Sequence, residues 1–281
     1  MKQRKVIINF CPTGMVPQKK NTPHVPITPS EIIEQVHEAF EIGITIAHLH
    51  AREKDGTPTW RPEVYDEIFR GVRRHCPGLI ICASTSGRNF PEFEKRSAVI
   101  ELQPDMCSLT LSSLNFHGQA SMNAPDMIQQ LASKMAEYGV HPELECFDLG
   151  MVNYGKYLIK KGFIAGPIYW NLIFGNIAGA QATAAQMGTL LQEVQEYDFV
   201  ACGGIGDSQL QANAIAIALG VGVRVGLEDN IYWDTERTRQ ASNSNLLKRI
   251  HELIAVHGHV ALTAQDFGKQ GFYNAKHLSW V

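Results

Sequence analysis

The chain has 281 residues, of which 44% are hydrophobic and 19% charged, and its formal net charge is −3. This composition supports a sizeable buried core and differs from that of a disordered chain. The slightly acidic balance and the lack of a Lys/Arg-rich patch argue against nucleic acid as a partner. No run reaches the roughly 20 apolar residues of a membrane span. The basic start before a short apolar run is typical of a first strand rather than a signal peptide, so we expect a cytoplasmic protein without a membrane partner.

Strand-like runs alternate along the chain with helix-like stretches. The strand-like runs are rich in β-branched and apolar residues and cover 5–11, 44–51, 79–85, 106–112, 143–149, 168–174, 198–204 and 222–228. The clearest helix-like stretches end at a Gly, and most carry Pro, Asn or Asp near their start. They cover 28–43, 61–78, 123–139, 207–220 and 236–258.

Eight strands, each followed by a helix, over about 250 residues are typical of a (β/α)8 TIM barrel, and we predict this α/β fold class. A doubly wound open sheet is the alternative, but it usually has a Gly-rich phosphate turn after its first strand. The sequence "CPTGMVPQKK" is not such a turn. Since no linker or charge block divides the chain, we predict a single barrel domain over 1–281. A C-terminal extension follows about residue 258, and we suggest a subunit contact as its role.

Two histidines one residue apart close the second predicted strand, in "ITIAHLHARE" (44–53). Because a strand alternates its faces, His48 and His50 point to the same side. One cation satisfies two close imidazoles well, although core histidines bonded to backbone carbonyls are the alternative. Glu228 is the expected third ligand, since the eighth strand lies near the second in a closed barrel. Two His, one carboxylate and an open position favour a catalytic Zn²⁺, but ferrous iron, manganese and cobalt also suit this ligand set.

The eighth predicted strand ends in "VRVGLEDN" (223–230). Arg224 and Glu228 share one face, so the guanidinium lies inside the barrel, where it needs an anion. Asp229, just past the strand, is its expected partner and a candidate base. We expect a low pKa for Asp229 beside an arginine and a cation. A solvated acidic turn after the strand is the alternative interpretation.

Other residues at the predicted strand ends add to this pattern. Polar side chains stand at Ser84, Ser108, Thr110 and Glu145. After the seventh strand, "ACGGIGDSQL" (201–210) opens a helix, and its glycines favour a phosphate-cradling turn. These glycines are Gly203, Gly204 and Gly206. Tight turning of the chain is the alternative explanation for them.

Together these motifs resemble the β-keto acid cleavage enzyme family, which includes the 3-keto-5-aminohexanoate cleavage enzymes. The matching motifs are H-L-H-A-R (48–52), S-T-x-G (84–87), S-L-x-x-x-S-x-N-F (108–116), P-E-L-E-x-F-D (142–148) and V-R-V-G-L-E-D-N (223–230). The resemblance runs from residue 5 to about 230. It implies a zinc-dependent barrel, usually a homotetramer. Such an enzyme condenses a β-keto acid with acetyl-CoA and gives acetoacetate and a new acyl-CoA.

The resemblance also implies a role for each matching residue. His48, His50 and Glu228 would bind zinc. Asp229, held by Arg224, would take the C2 proton of the keto acid. The glycine-rich loop would contact acetyl-CoA. The residues implied to lie near the substrate or the migrating acyl group are Ser84, Ser108, Thr110, Asn115 and Glu145.

One departure from the family concerns the substrate. Members that cleave the aminohexanoate carry a glutamate after strand 1 that can hold the ammonium, and Met15 stands there in this chain. An apolar side chain cannot neutralise a buried cation, so we predict that this substrate is not used. A neutral acyl chain fits Met15. Ser86 and Arg88, where Gly-rich sequence is common, are expected to reshape the same pocket. A second carboxylate fits if one of three residues turns inward: Gln18, Lys19 or Lys20.

Three other functions stay open. A hydrolase of the amidohydrolase type is also an H-x-H barrel, but it has that motif on strand 1 and further histidines on strands 5 and 6. A metal-dependent aldolase or lyase would differ in not needing acetyl-CoA. A non-catalytic barrel would only bind a ligand at its strand ends, and loss of Asp229 would then change affinity alone.

Overall fold

The computed structural model describes residues 3–197 and 199–276 and contains a closed barrel of eight parallel strands. Numbered in chain order, the barrel strands are β1 Ile8–Phe10, β2 Ile46–Leu49, β3 Ile80–Ala83, β4 Met106–Thr110, β5 His141–Cys146, β6 Tyr169–Phe174, β7 Phe199–Gly204 and β8 Gly222–Val225. Each strand pairs with the next, and β8 pairs with β1. The predicted (β/α)8 fold class is therefore confirmed.

Helices follow the strands and cover the outside of the barrel. They are α1 Pro29–Ile42, α2 Pro62–His75, α3 Phe93–Ser97, α4 Pro125–Tyr138, α5 Leu149–Lys160, α6 Ala184–Glu193, α7 Ser208–Ala218, α8 Asn243–Val256 and α9 Ala264–Phe267. Among the described residues, no helix is both long and apolar enough to span a membrane.

Capping residues explain where the observed elements depart from the predicted ranges. The strand predicted over 143–149 ends early because the Asp148 side chain caps α5. The helix predicted over 236–258 begins late because the Ser242 side chain caps α8. Such caps satisfy backbone N–H groups that lack a partner inside the helix, and they therefore define its start.

Apolar side chains pack on both sides of the barrel wall. Side chains that point outward from the strands pack with the helices in one continuous core, which includes Ile81, Leu109, Leu144 and Trp170. Side chains that point inward near the strand starts form a second cluster, which includes Ile7, Ile46, Ile80, Met106 and Tyr169. This cluster fills the amino-terminal end of the barrel. The carboxyl ends of the strands are left for polar residues, as in other barrels of this kind.

The segment after α8 closes the amino-terminal end of the barrel. Val260–Ala261 pairs in parallel with Lys5–Val6 outside the barrel, which is why the first predicted strand is divided. Phe267 and Phe272 then stack with ring centroids 4.0 Å apart and join the inner apolar cluster. The described part of this segment is thus a plug under the barrel. The boundary near residue 258 stays a prediction, and so does the subunit contact, which concerns in part residues outside the described ranges.

The plug should contribute strongly to stability. Replacing Phe267 with Ala leaves a cavity under the barrel, and we expect the free energy of unfolding to fall by about 3–5 kcal/mol. Urea titration followed by circular dichroism measures this change. Val256→Ala is the control, since Val256 is 83% exposed, and it should change stability little. Equal stability of Phe267→Ala and the native protein would show that the plug is dispensable.

Candidate metal and catalytic site

His48, His50 and Glu228 meet inside the barrel mouth, as the sequence analysis expects. The Nε2 atoms of His48 and His50 are 3.2 Å apart. Glu228 Oε1 lies 3.1 Å from His50 Nε2 and 3.9 Å from His48 Nε2. Three potential ligand atoms therefore converge on one point, an arrangement that can hold a metal ion.

Two glycines let the chain bring Glu228 to this point. Gly226 follows β8 with a φ of +155°, and a Cβ there would lie 2.0 Å from the backbone oxygen of Cys11. Gly14 has a φ of +62°, and its Cβ would lie 2.5 Å from Glu228 Cγ. Only glycine allows the loops after β1 and β8 to pack this closely. The Glu228 backbone N–H then donates to the Cys11 carbonyl at 3.1 Å.

Glu143 orients His48, and the sequence analysis missed this role. Its Oε2 lies 2.7 Å from His48 Nδ1, while its Oε1 accepts hydrogen bonds from Asn9 and Asn171 at 2.5 and 2.9 Å. An ionised carboxylate only accepts, so Nδ1 carries the proton and Nε2 is left free for a ligand bond. The sequence does contain a signal for this role. In "ELE", Glu143 shares the inward face of β5 with Glu145, but only Glu145 was predicted as a site residue.

The cluster carries an excess of negative charge. Burial opposes a charge on His48, but the carboxylates of Glu143 and Glu228 outweigh it and raise the pKa of His48 to about 9. Burial also disfavours ionisation of Glu228, yet His50, Arg224 and His48 hold its pKa well below the usual range. The buried Glu228 Oε2 has no hydrogen-bond partner among the described residues. Such an oxygen is costly unless a cation or donor reaches it.

Arg224 joins Glu228 to Asp229, as predicted. Its Nε donates to Asp229 Oδ2 at 2.8 Å and its Nη2 donates to Glu228 Oε1 at 2.8 Å. The low pKa expected for Asp229 includes the effect of a neighbouring cation, and it stays a prediction for the metal-bound site. Burial raises the pKa of Asp229, Arg224 lowers it only in part, and the neighbouring Glu228 charge raises it further. A carboxylate with a raised pKa is a stronger base than a free one.

A cavity of about 880 Å³ opens above the cluster at the carboxyl ends of the strands. Its lining includes many of the predicted site residues: Met15, His50, Ser84, Thr110, Glu145, Gly206, Arg224, Glu228 and Asp229. Thr110 donates to Glu145 Oε2 at 2.7 Å, and Arg224 Nη1 lies 3.5 Å from Glu145 Oε1. The carboxyl group of Glu145 is thereby linked to the same charged network.

Four predicted site residues lie elsewhere. Ser108 Oγ accepts a hydrogen bond from the Thr85 backbone N–H at 3.1 Å, behind the cavity wall. A Cβ at Gly203 would lie 2.9 Å from Arg224 Cβ, and one at Gly204 would lie 2.4 Å from the Ser208 carbonyl oxygen. Close packing therefore accounts for these two glycines. Asn115 is exposed on a short strand, Leu114–Asn115, and its side chain does not line the cavity.

Two buried arginines hold the loops around the cavity, and the sequence analysis did not identify them as such. Arg52 donates to the carbonyl groups of Gly14, Gly56 and Pro17 at 2.7–3.0 Å. Arg96 donates to the Thr85 and Met122 carbonyl groups and to the Asn123 side chain. Arg52 stands in the "HLHAR" motif, but two of its three backbone partners, Gly14 and Pro17, are distant in sequence, so the motif alone does not reveal them.

The fold and this site together define an enzyme of the (β/α)8-barrel class, whose chemistry collects at the carboxyl ends of the strands. The family model of the β-keto acid cleavage enzymes matches residues 5–268. The chain is 36% identical over 265 residues to a 3-oxoadipate:acetyl-CoA acetyltransferase of Cupriavidus necator, covering 92% of each protein. It is 34% identical to a 3-keto-5-aminohexanoate cleavage enzyme of Fusobacterium nucleatum, covering 89% of this chain and 91% of that protein.

This chain therefore belongs to the β-keto acid cleavage enzyme family. Among solved structures, a ternary complex of ObcA with a C4-CoA adduct and oxalate superposes with a TM-score of 0.76 at 22% sequence identity. The match covers 88% of this chain and 67% of that one, and it supports the barrel fold. The resemblance inferred from the motifs is confirmed.

Glu143→Gln should weaken metal binding, because a neutral amide can donate as well as accept and no longer enforces the His48 tautomer that leaves Nε2 free. We expect the affinity for Zn²⁺ to fall by about 10–100-fold, measured by competition with a chromogenic chelator. Glu193→Gln is the matched control, since Glu193 is on the surface and pairs with Lys156. If both variants bound Zn²⁺ as tightly as the native protein, Glu143 would have no part in orienting His48.

Proposed function

We propose that this protein is a metal-dependent enzyme that exchanges acyl groups between a β-keto acid and acetyl-CoA. The products are acetoacetate and a new acyl-CoA. The main support is the cluster of His48, His50 and Glu228 beside the Arg224–Asp229 pair. Of these residues, all but the buried His48 line one cavity. The name of the Cupriavidus necator relative includes acetyl-CoA. The two relatives are named for different keto acids, so the family alone does not specify the substrate.

The residues of the cluster fit a divalent cation. Two imidazole nitrogens and one carboxylate oxygen converge, the second oxygen of Glu228 is unpartnered among the described residues, and Glu143 supplies the outer hydrogen bond to His48. His48, His50 and Glu228 would hold the metal. When bound, a divalent ion would act as a Lewis acid that polarises the oxygens of a β-keto acid and acidifies its C2 carbon.

The chain's own residues carry the proton and the carbon chemistry. Asp229 takes a proton from C2 of the keto acid. Arg224 holds the carboxyl group of Asp229 in position through a hydrogen bond. The C2 carbanion attacks the acetyl carbonyl of acetyl-CoA, and the CoA thiolate leaves. That thiolate then attacks the original keto carbon, and the bond from this carbon to C2 breaks. The electron pair returns to C2, Asp229 gives back its proton, and acetoacetate and the new acyl-CoA are formed.

Ser84 and Gly206 suit supporting roles at the cavity wall. Ser84 Oγ accepts from the Ser86 backbone N–H at 3.2 Å, so its own proton is free to donate to a substrate oxygen. Gly206 has a φ of +58° and leaves open space where a Cβ would be. This is the one glycine of the predicted phosphate loop that lines the cavity, and we assign it to the acetyl-CoA side.

The competing hydrolase interpretation has less support. An amidohydrolase-type site would need histidines from β5 and β6 at the metal. The histidine of β5, His141, lies at the plug end of the barrel against Phe272, with ring centroids 5.8 Å apart. Zinc as the metal, a homotetramer and a cytoplasmic location stay predictions from the sequence and the family resemblance.

Acetoacetate formation tests the proposed reaction. Purified protein with Zn²⁺ should convert β-keto acids to acetoacetate only when acetyl-CoA is present, and removal of the metal with a chelator should abolish turnover until Zn²⁺ is restored. Turnover without acetyl-CoA would instead support the aldolase or lyase. Absence of both turnover and metal binding would show that His48 and His50 have a structural role instead of binding a metal.

Asp229→Asn tests the assigned base. Because an amide cannot accept the C2 proton, we expect kcat to fall by about 10²–10⁴-fold, while the bound metal per chain stays the same. Exchange of the C2 hydrogen of the keto acid with deuterium should slow in parallel. Asp126→Asn, at an exposed position in α4, is the control. A variant that kept its kcat within threefold would exclude Asp229 as the base.

A further inference from the structure

The cavity contains an arginine to which the reaction described above assigns no role. Arg88 lies in the loop after β3 and lines the cavity wall. Its guanidinium carbon is 3.6 Å from the centroid of the Phe116 ring, so the planar group lies over the aromatic face. Phe116 is itself held edge to face against Phe147, with centroids 5.6 Å apart. The cation is therefore held in one orientation.

The Arg88 guanidinium lacks a counter-ion. Within residues 3–197 and 199–276, no carboxylate oxygen lies within 4.0 Å of it, and its buried Nε has no hydrogen-bond partner. Burial lowers the pKa of Arg88, and the charges of Glu228, Glu145 and Asp229 offset this from a distance. A partly buried guanidinium with free donors is a ready site for an anion.

The other arginines of the cavity wall are already satisfied. Arg224 is paired with Asp229 and Glu228. Arg237 donates to both carboxylate oxygens of Asp207 at 3.0–3.2 Å, near the surface. Among the described residues that line the cavity, Arg88 is thus the arginine with donors to spare for a ligand.

The loop that carries Arg88 is rigidly supported. Arg96 donates to the Thr85 carbonyl, and a Cβ at Gly87 would lie 2.5 Å from Arg96 Nη1, so the loop packs directly on this buried side chain. The Gln119 side chain donates to the Arg88 carbonyl at 2.8 Å. A cation that is held in place before the ligand arrives loses little entropy on binding.

We propose that Arg88 binds a second carboxylate at the far end of the keto acid, so that the substrate is a β-keto dicarboxylic acid. This inference rests on the proposed function. The carboxylate next to the reacting carbon belongs beside the His48 cluster and Asp229. Arg88 lines the same cavity as His50 and Asp229 but forms no ion pair with Asp229. A guanidinium forms two parallel hydrogen bonds with one carboxylate, and the buried Nε of Arg88 has no other partner among the described residues.

The three residues after β1 that the sequence suggests as partners of a second carboxylate do not line the cavity. Lys19 forms an ion pair with Glu31 at 2.8 Å on the surface, and Gln18 and Lys20 do not line the cavity wall. Met15 does line it and supplies no charge. The residue that we expect to bind a second carboxylate is therefore Arg88, in the loop after β3, and not a residue of the loop after β1.

Two keto acids that differ at one end test the proposal. 3-Oxohexanedioate and 3-oxohexanoate have the same chain and differ in a terminal carboxylate against a methyl group. We expect the native enzyme to favour the diacid in kcat/KM, and Arg88→Met to reduce this preference by roughly 10–100-fold. Arg88→Lys should retain part of it, as a point charge without the planar fork. Arg70→Met, at an exposed residue of α2, is the control.

The contrary outcomes are distinct. A native preference for 3-oxohexanoate, or an equal loss with both acids, would overturn the role of Arg88, and a raised KM for acetyl-CoA alone would assign it to the cofactor phosphates instead. Calorimetry with hexanedioate and hexanoate gives a second readout that needs no turnover. Selective binding of hexanedioate that is lost in Arg88→Met would support the anion site even if acetoacetate formation failed and the proposed reaction were wrong. Equal binding of the two acids would refute it.

Discussion

Negative charge concentrated inside the barrel governs the rest of the site. Glu143, Glu228 and Asp229 lie where water is largely excluded, and they face two histidines and Arg224. Carboxylates in such a place are stable only when cations and donors match them. Arg224 satisfies Asp229 and one oxygen of Glu228, and Asn9 and Asn171 satisfy one oxygen of Glu143. The remaining imbalance lies at the His48–His50–Glu228 cluster, which is why a divalent cation fits there.

The same charge distribution separates the tasks of the acidic residues. Glu143 is fully buried and bonded on both oxygens, so it serves to orient His48. Glu228 keeps a low pKa, and one of its oxygens has no partner within the described part of the chain, which suits the proposed role as a metal ligand. Asp229 has a raised pKa and faces the cavity, which suits proton transfer. Three carboxylates of similar chemistry thus acquire different properties because their neighbours differ.

The arginines around the cavity have different roles because their contacts differ. Arg52 and Arg96 are buried and bond mainly to backbone carbonyl groups, so they hold the cavity loops together. Arg224 balances carboxylates within the site. Arg88 stacks on Phe116 with its donors still free. In the proposed function, the rigid loops around it would make the cavity selective for the shape and charge of the acid's far end. The chemistry at the near end would depend on residues at the carboxyl ends of β2 and β8.

Much of this molecule was determined by local sequence. The alternation of apolar runs with capped helices predicts the barrel, and period-2 alternation predicts that His48 and His50 share a face and that Arg224 and Glu228 share another. Only the tertiary structure decided which polar residues meet. Glu143 became the partner of His48, Ser108 was placed outside the cavity lining, and the glycines of β7 proved to be packing residues. Arg88, not the lysines after β1, lines the cavity, and its buried Nε has no partner among the residues that the structure describes. These outcomes depend on contacts between distant strands and loops, and on the balance of burial against charge at each group, which no local pattern contains.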